Sequence, residues 1–393
     1  MPVFYAWPLI DILAILTAFS LLFKISQTRK LLLTTPQCLL LFGFLASIVL
    51  SHLSHTYFWG AYDSFLKFSR LVIMFLLFIN VLDSERKLKI ILWFIVILTV
   101  TIAIQGIYQF QSGFGWAGQP LTESRRITWI GVFNDANDLA LALVMAIGFL
   151  MAFVFGKTKI LYKIISFSLF ALLLYSLYLT NSRGGYMALA GTIMFYFLRR
   201  FKNKIIGIPI GVVLVLTLFI LGPSRLSMMS ASEESASGRI DAWYQGVQML
   251  KSSPLFGVGY GMFTADYPRT AHNSYVLVAA EEGLVGLFFW IALIYSCFKG
   301  LDILKKKKPK LINYSAGIEA SLFGFLSASF FLSRSYQAIL YVMLALASSF
   351  IYTFLKKEDY SFNSKDLRIA GVLSLTILFI TWITMRVSVR MGG

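Results

Sequence analysis

The stretch ANDLALALVMAIGFLMAFVFG, residues 136–156, is apolar beyond its first turn, follows Asn134 and Asp135, and runs into Lys157, Lys159 and Lys163. A helix needs roughly 20 such residues to cross the hydrocarbon of a bilayer. Similar runs lie on both sides of it. Bounded by charge, Gly or Pro, they fall near 8–24, 36–54, 66–82, 89–110, 159–180, 184–198, 204–221, 274–298, 314–333, 336–356 and 368–387. The expected fold is therefore all-α: a polytopic integral membrane protein with about twelve transmembrane helices in a single membrane domain over 1–393. Composition agrees. Only 13% of the residues are charged and 58% are hydrophobic, and mean hydropathy is +0.76, whereas a soluble domain carries about 25% charged residues. The run from Pro8 to Phe23 is followed by Lys24 and Arg29 rather than by small residues, so it is expected to be a retained span rather than a cleaved signal. Cys38 and Cys297 each sit inside an apolar run without a nearby cysteine, so they are expected in the core, with no disulfide framework and no zinc site.

Short loops rich in Lys and Arg stay in the cytoplasm. Alternate loops here are basic: Lys24–Lys30, Arg86–Lys89, Lys157–Lys163, Arg199–Lys204, Lys305–Lys310 and Lys356–Arg368. The remaining loops, including the long one over 222–273, then face the exterior or periplasm, as do both termini; Arg386 and Arg390 fit that placement poorly. Eighteen of the 20 lysines fall on the inner side, yet ten of the 15 arginines fall on the outer side. Arg70, Arg125, Arg126, Arg183, Arg225, Arg239, Arg269 and Arg334 thus stand where basic residues are disfavoured. Each alone is explained by snorkelling to the headgroups, but snorkelling has no reason to prefer arginine in one leaflet. A guanidinium fork binds phosphate or carboxylate in bidentate fashion, so an anionic headgroup is the expected substrate feature.

In the long loop, Ile240, Trp243, Val247 and Leu250 recur at helical spacing until Pro254. An amphipathic helix is expected there, with Arg239 in its first turn and Trp243 as interfacial anchor. Gly257-Val258-Gly259-Tyr260-Gly261 lacks the strand and βαβ context of a nucleotide loop; its glycines suit close approach to a ligand or to a helix. His272-Asn273-Ser274 marks re-entry into the membrane. His272 is either a proton acceptor for an attacking hydroxyl or a helix-start residue bonded to backbone. His52 and His55 form an i, i+3 pair, read either as an incomplete metal site or as interfacial polar residues. Arg183 lies in the tight turn Asn181-Ser182-Arg183-Gly184-Gly185, beside Ala188, Ala190 and Gly191, which permit close helix packing. A basic residue placed deep costs about 2.5–3.5 kcal/mol, so a partner or ligand is expected; Glu281 and Glu282 are candidates, or they orient His272. Asn134, Asp135, Asn137 and Asp138 read as a helix cap.

In this order, Gly131-Val132-Phe133-Asn134-Asp135-Ala136-Asn137, Ser182-Arg183-Gly184-Gly185, Gly238-Arg239 with Trp243, Pro254-Leu255-Phe256-Gly257-Val258-Gly259, His272-Asn273-Ser274 and Glu282-Gly283-Leu284 resemble the O-antigen ligase family. That family includes polysaccharide polymerases and O-linked oligosaccharyltransferases of bacteria. The motif region is 131–290. The resemblance implies a GT-C-like membrane glycosyltransferase of the bacterial inner membrane, active on the periplasmic face. It would move an undecaprenyl-diphosphate-linked glycan onto the hydroxyl of lipid A core or of a growing polysaccharide. By the same resemblance His272 activates the acceptor, and Arg183 and Arg239 hold the donor diphosphate. Glu282 and Asn273 are supporting candidates, while Arg269 and Arg125, like Arg225 and Arg334, are further binders expected from charge alone, with no catalytic role. No metal, cofactor or nucleotide sugar is needed in that picture, and the partners are lipids and glycans rather than nucleic acid. A loop of about 50 residues, with no sizeable soluble domain after the last span, favours lipid A core or polymer over protein as acceptor. The alternative is a transporter or flippase for a lipid-linked glycan; it should show paired, interrupted helices in two halves, and no such repeat is visible in the sequence.

Overall fold

The computed structural model describes residues 9–28, 33–122, 124–156, 158–201, 204–221 and 234–391. Among them there is no strand, only one isolated bridge between Phe114 and Pro120. Each of the twelve apolar runs is a helix: α1 (Leu9–Thr28), α2 (Pro36–Leu53), α3 (Phe58–Val81), α4 (Glu85–Ser112), α5 (Ala136–Val154), α6 (Ile160–Thr180), α7 (Arg183–Arg200), α8 (Lys204–Leu221), α11 (Ser274–Lys307), α12 (Ile312–Ala328), α13 (Ala338–Phe354) and α14 (Ser364–Met391). Between α8 and α11 lie α9 (Glu234–Ser252) and the single turn α10 (Phe263–Asp266). Seven of these helices, α2 to α6, α11 and α14, are long and apolar enough to cross a membrane. Local signals set their ends. Thr35 Oγ1 accepts from Cys38 N ahead of Pro36, Ser84 caps α4, and Gly113 closes it with a left-handed φ of 84°. One start differs from expectation: α3 begins at Phe58 rather than near 66. Asp63 and Lys67 pair at 2.6 Å one turn apart, so the helix that holds Lys67 and Arg70, as expected, continues back through Asp63.

The chain forms two compact units. In one, α4 to α8 assemble with α12 and the last turns of α11. Its centre is α5, buried along almost all of its length. Small residues bring helices together there, as the spacing of Ala188 and Gly191 predicts: Gly324 lies 3.2 Å, measured from where its Cβ would stand, from Ala188 O, and Gly191 faces Ser327. Ser321 on α12 donates to Met145 O at 2.8 Å. Glu319, fully buried on α12, accepts from Arg199 Nε at 3.1 Å, from Arg199 Nη2 at 2.8 Å and from Lys305 Nζ at 2.6 Å. A buried carboxylate in an apolar bundle needs such pairing.

The other unit contains α1 to α3, α9, α10, α13, α14 and most of α11. Here the expected continuous span at 274–298 is broken, because Gly283 has φ 65° and ψ −164° inside α11. The segment 254–259 fills the break. Val258 N donates to Ala280 O at 2.9 Å and Gly259 N to Glu281 O at 3.0 Å; in return Leu284 N donates to Pro254 O at 2.9 Å and Val285 N to Leu255 O at 3.2 Å. Every backbone group within lipid must find a partner inside the protein, so a helix break survives only where a segment such as this supplies one. The glycines are required by the contact. A Cβ on Gly257 would overlap the backbone of Glu281 and Glu282, and one on Gly283 would overlap the backbone of Leu255 and Phe256. Of the two uses expected for this glycine turn, approach to a helix is the one observed.

Gly283→Ala and Gly257→Ala should therefore lower thermal stability in detergent well beyond Gly261→Ala. Gly261 also has positive φ, at 76°, but open space around its Cβ position. The strain common to all three is on the order of 1–2 kcal/mol, and the overlap at Gly257 and Gly283 adds roughly 1–3 kcal/mol. Equal losses for all three variants would contradict the close contact.

Candidate functional site

The predicted helix over the long loop is α9, stopped before Pro254 as expected. It starts at Glu234, so Arg239 stands in its second turn rather than its first. Its packed face runs through Gly238, Ala242, Trp243, Gly246 and Met249, rotated slightly from the predicted Ile240, Trp243, Val247 and Leu250. Trp243 is not an interfacial anchor: it is 6% exposed and packs with Met249, Phe263, Ala271, Val276, Leu277 and Ala280. Arg239 is one turn before Trp243 on this face and half-buried. The Arg269 guanidinium lies over Gly238, where a Cβ would collide with it, while the rest of Arg269 is exposed. Ala271 joins the Trp243 cluster, which puts His272 at its edge. Arg239, Arg269 and His272 thus all belong to the same unit.

His272 is half-buried with φ 49°. A left-handed backbone at a residue other than glycine is uncommon and tends to persist where the surroundings enforce it. The enforcement here comes from the two residues that follow. Asn273 is fully buried and its Oδ1 accepts from Tyr275 N at 2.9 Å and Val276 N at 3.2 Å, capping α11. Ser274 N donates to Ser329 O at 2.7 Å, and Ser274 Oγ donates to Leu332 O at 2.6 Å while accepting from Arg334 N at 2.8 Å. The imidazole is therefore carried by a rigid junction between α11 and the α12–α13 connection.

Glu281 and Glu282, both buried, directly precede the helix break at Gly283. Glu281 Oε1 accepts from Phe263 N at 3.2 Å, and Glu282 Oε1 accepts from the Tyr336 hydroxyl at 3.4 Å. Tyr336 makes an edge contact with Tyr260, centroids 4.6 Å apart. Burial, and then the two carboxyl groups, push the Tyr260 phenol up to about 12 and hold Tyr336 well above the ordinary range. Both hydroxyls therefore stay protonated and able to donate at neutral pH. The histidine pair proves to be a tether. The Nε2 of His52 donates to Tyr260 O at 3.1 Å and that of His55 to Gly257 O at 2.9 Å, because a carbonyl can only accept. Tyr260 N donates to Ser51 Oγ at 3.2 Å.

Arg183 and Arg125 belong to the other unit. Arg183 is the first residue of α7, half-buried, directly after the N-cap Ser182, whose Oγ accepts from Gly185 N at 3.1 Å. Arg125 is exposed, with φ 53°, its guanidinium 5.6 Å from the centre of the Phe110 ring. Beside it, Arg126 turns inward: Nε donates to Thr180 O at 2.8 Å and Nη2 to Asn137 Oδ1 at 2.9 Å. Asp135 caps α5 as the sequence suggests, accepting from Asn137 N at 2.7 Å. The Asn137 side chain does something else, receiving Ser182 Oγ at 2.7 Å. Sequence reasoning missed that link; an asparagine inside a first helical turn, where the cap is already supplied, was its only local signal. Arg225 lies outside the described residues.

These features define a helical membrane protein with arginines, a strained histidine and a loop-filled helix break. Residues 168–291 match the model of the O-antigen ligase family, a stretch that contains Arg183, Arg239, Arg269, His272, Asn273 and Glu282; the family expected from the motifs is the one found. The chain is 23% identical over 186 residues to a provisionally named polysaccharide ligase of Rickettsia conorii, covering 40% of this chain and 45% of that one. It is 25% identical over 193 residues to one of Rickettsia prowazekii, covering 42% and 47%, and 24% identical over 189 residues to one of Rickettsia typhi, covering 41% and 46%. The match thus spans about half the length of these relatives.

Removing the Glu281 acceptor isolates its part in holding Phe263. Glu281→Ala should cost about 1–3 kcal/mol, since a buried N–H is left unpaired, whereas Glu281→Gln keeps an acceptor oxygen and should cost less. Thermal unfolding of the two variants in detergent checks the order; an equal loss would deny the carboxyl that role.

Proposed function

We propose that the protein is a membrane glycosyltransferase that moves a glycan from undecaprenyl diphosphate onto an acceptor hydroxyl, at the periplasmic face of a bacterial inner membrane. The observation that carries this reading is the O-antigen ligase match over 168–291, because it spans the arginines and the histidine picked out by charge and position. In this reading all twelve apolar helices cross one membrane domain, and the loop over 222–273 lies in the periplasm with both termini. Arg183 and Arg239 bind the donor diphosphate, with Arg269 and Arg125 as further cationic contacts. His272 takes the proton of the acceptor hydroxyl, whose oxygen attacks the anomeric carbon. The bond from that carbon to the diphosphate oxygen breaks, and undecaprenyl diphosphate leaves with the electron pair. Arginine contacts that strengthen as charge builds on the leaving oxygen favour the transition state over the bound donor. Attack opposite the leaving group inverts the anomeric centre. Asn273 and Glu282 act by position, as helix cap and as the partner of Tyr336. Neither a metal nor a nucleotide sugar enters these steps. The acceptor is lipid A core or a growing polysaccharide chain.

One observation favours a second reading, transport of a lipid-linked glycan: α11 is interrupted, as substrate-bearing helices of transporters are.

His272→Asn separates the two readings without disturbing the backbone, since asparagine tolerates a left-handed conformation. Transfer in membranes should fall by roughly 10²–10⁴-fold, the usual contribution of a general base, with crosslinking to the donor unchanged. Arg239→Gln and Arg183→Gln should each weaken donor crosslinking and reduce transfer on the order of 10²-fold. Undiminished transfer by all three would remove the roles given to these residues, and wild-type protein that only moves the lipid between leaflets would leave the transporter.

A further inference from the structure

The Asn137 side chain lies 45 residues from Ser182 in sequence, yet the two are bonded, and a third residue, Arg126, closes the group. A guanidinium nitrogen only donates, so the atom facing Arg126 Nη2 must be Oδ1, which fixes the amide orientation. The single hydroxyl hydrogen of Ser182 goes to the same oxygen, leaving the Ser182 lone pairs to receive Gly185 N. One oxygen therefore ties together the connection before α5, the first turn of α5 and the N-cap of α7. Arg126 extends the group to the last turn of α6 through Thr180 O. Gly185 completes the fit, because a Cβ there would overlap Ala140 on α5. Arg183 leaves the chain between these two fixed points, Ser182 and Gly185.

We propose that Asn137 is a positioning residue for the proposed transfer reaction: by accepting from Arg126 and Ser182 at once, it holds the turn that presents Arg183 to the donor diphosphate. This rests on the reading of Arg183 given above. The side chain acts through Arg183 and needs only an acceptor oxygen at this position. Aspartate, which offers one, should therefore hold the turn, and alanine should release it.

The test uses the full chain with Gly184→Cys as a reporter. Position 184 has room for a side chain, and the native Cys38 and Cys297 are buried. Adding Asn137→Ala should raise the rate of maleimide labelling at position 184 by about tenfold, as expected when hydrogen bonds to a charged partner are lost; adding Asn137→Asp should leave it near the parent rate. In the chain without the reporter, Asn137→Ala should raise KM for the lipid-linked donor and lower kcat, because Arg183 is proposed to bind the donor and to stabilise the departing diphosphate. If Asn137→Ala does not yield folded protein, Arg126→Met removes one of the two bonds and should raise labelling in the same direction. Unchanged labelling in Asn137→Ala, including a lower unfolding temperature with unchanged labelling, would overturn the proposal. So would labelling in Asn137→Asp as fast as in Asn137→Ala. If labelling rises while donor KM and transfer stay normal, the asparagine holds the turn as proposed and the role given to Arg183 is the part that fails.

Discussion

The four backbone hydrogen bonds between 254–259 and the two halves of α11 are the constraint on which the second unit depends. Interrupting a helix inside an apolar bundle exposes carbonyls and N–H groups, each costing several kcal/mol if left alone. The inserted segment removes that cost, and in doing so fixes everything attached to it. Ser51, His52 and His55 hold its backbone from the end of α2. Glu281 holds Phe263 just beyond it, and Phe263 packs in the Trp243 cluster that seats α9. Arg239 is carried on α9, and His272 stands at the other end of the half-helix that the segment completes. A break in a membrane helix thus becomes the frame of the unit that carries His272, Arg239 and Arg269.

The first unit achieves rigidity by a different route, with side chains in place of backbone. Midway along α12, Glu319 gathers Arg199 and Lys305 into a buried ion cluster. Such a cluster adds little net stability compared with an apolar core, but losing one partner is costly, so it favours one arrangement of helices. Along the shared faces of α5, α7 and α12, small residues let the backbones approach and hydroxyls bond across the helices. Around Arg183 the ordering comes from neutral and charged groups converging on Asn137.

Much of this was legible in the sequence because lipid is an undemanding solvent to read: a run of about 20 apolar residues has few alternatives to a helix. All twelve runs are helices, and seven meet the length and hydropathy needed to cross. Charge was a poorer guide to boundaries. The stretch 58–65, with Asp63, fell outside the expected run and is the first two turns of α3. The break at Gly283 was hidden because nothing local announces it: Glu282-Gly283-Leu284 reads as helix unless Pro254–Gly259 is known to lie against it. The two motifs were noticed separately, and their meaning is joint. For the same reason His52 and His55 read only as interfacial polar residues or an incomplete metal site, when their partners are carbonyls some 200 residues away. The arginine asymmetry and the position of His272 were visible, since they follow from side-chain chemistry and loop order alone.

The central claim, that the framed site transfers a glycan rather than moving a lipid, is tested most directly by reconstituting the purified protein in liposomes with a glycan-bearing undecaprenyl diphosphate and a hydroxyl acceptor. The glycosylated acceptor and the released undecaprenyl diphosphate would be quantified together, and the anomeric configuration read by NMR. The account predicts equal amounts of the two products and an inverted linkage. A glycan still attached to its lipid and redistributed between leaflets, with no free undecaprenyl diphosphate, would contradict it.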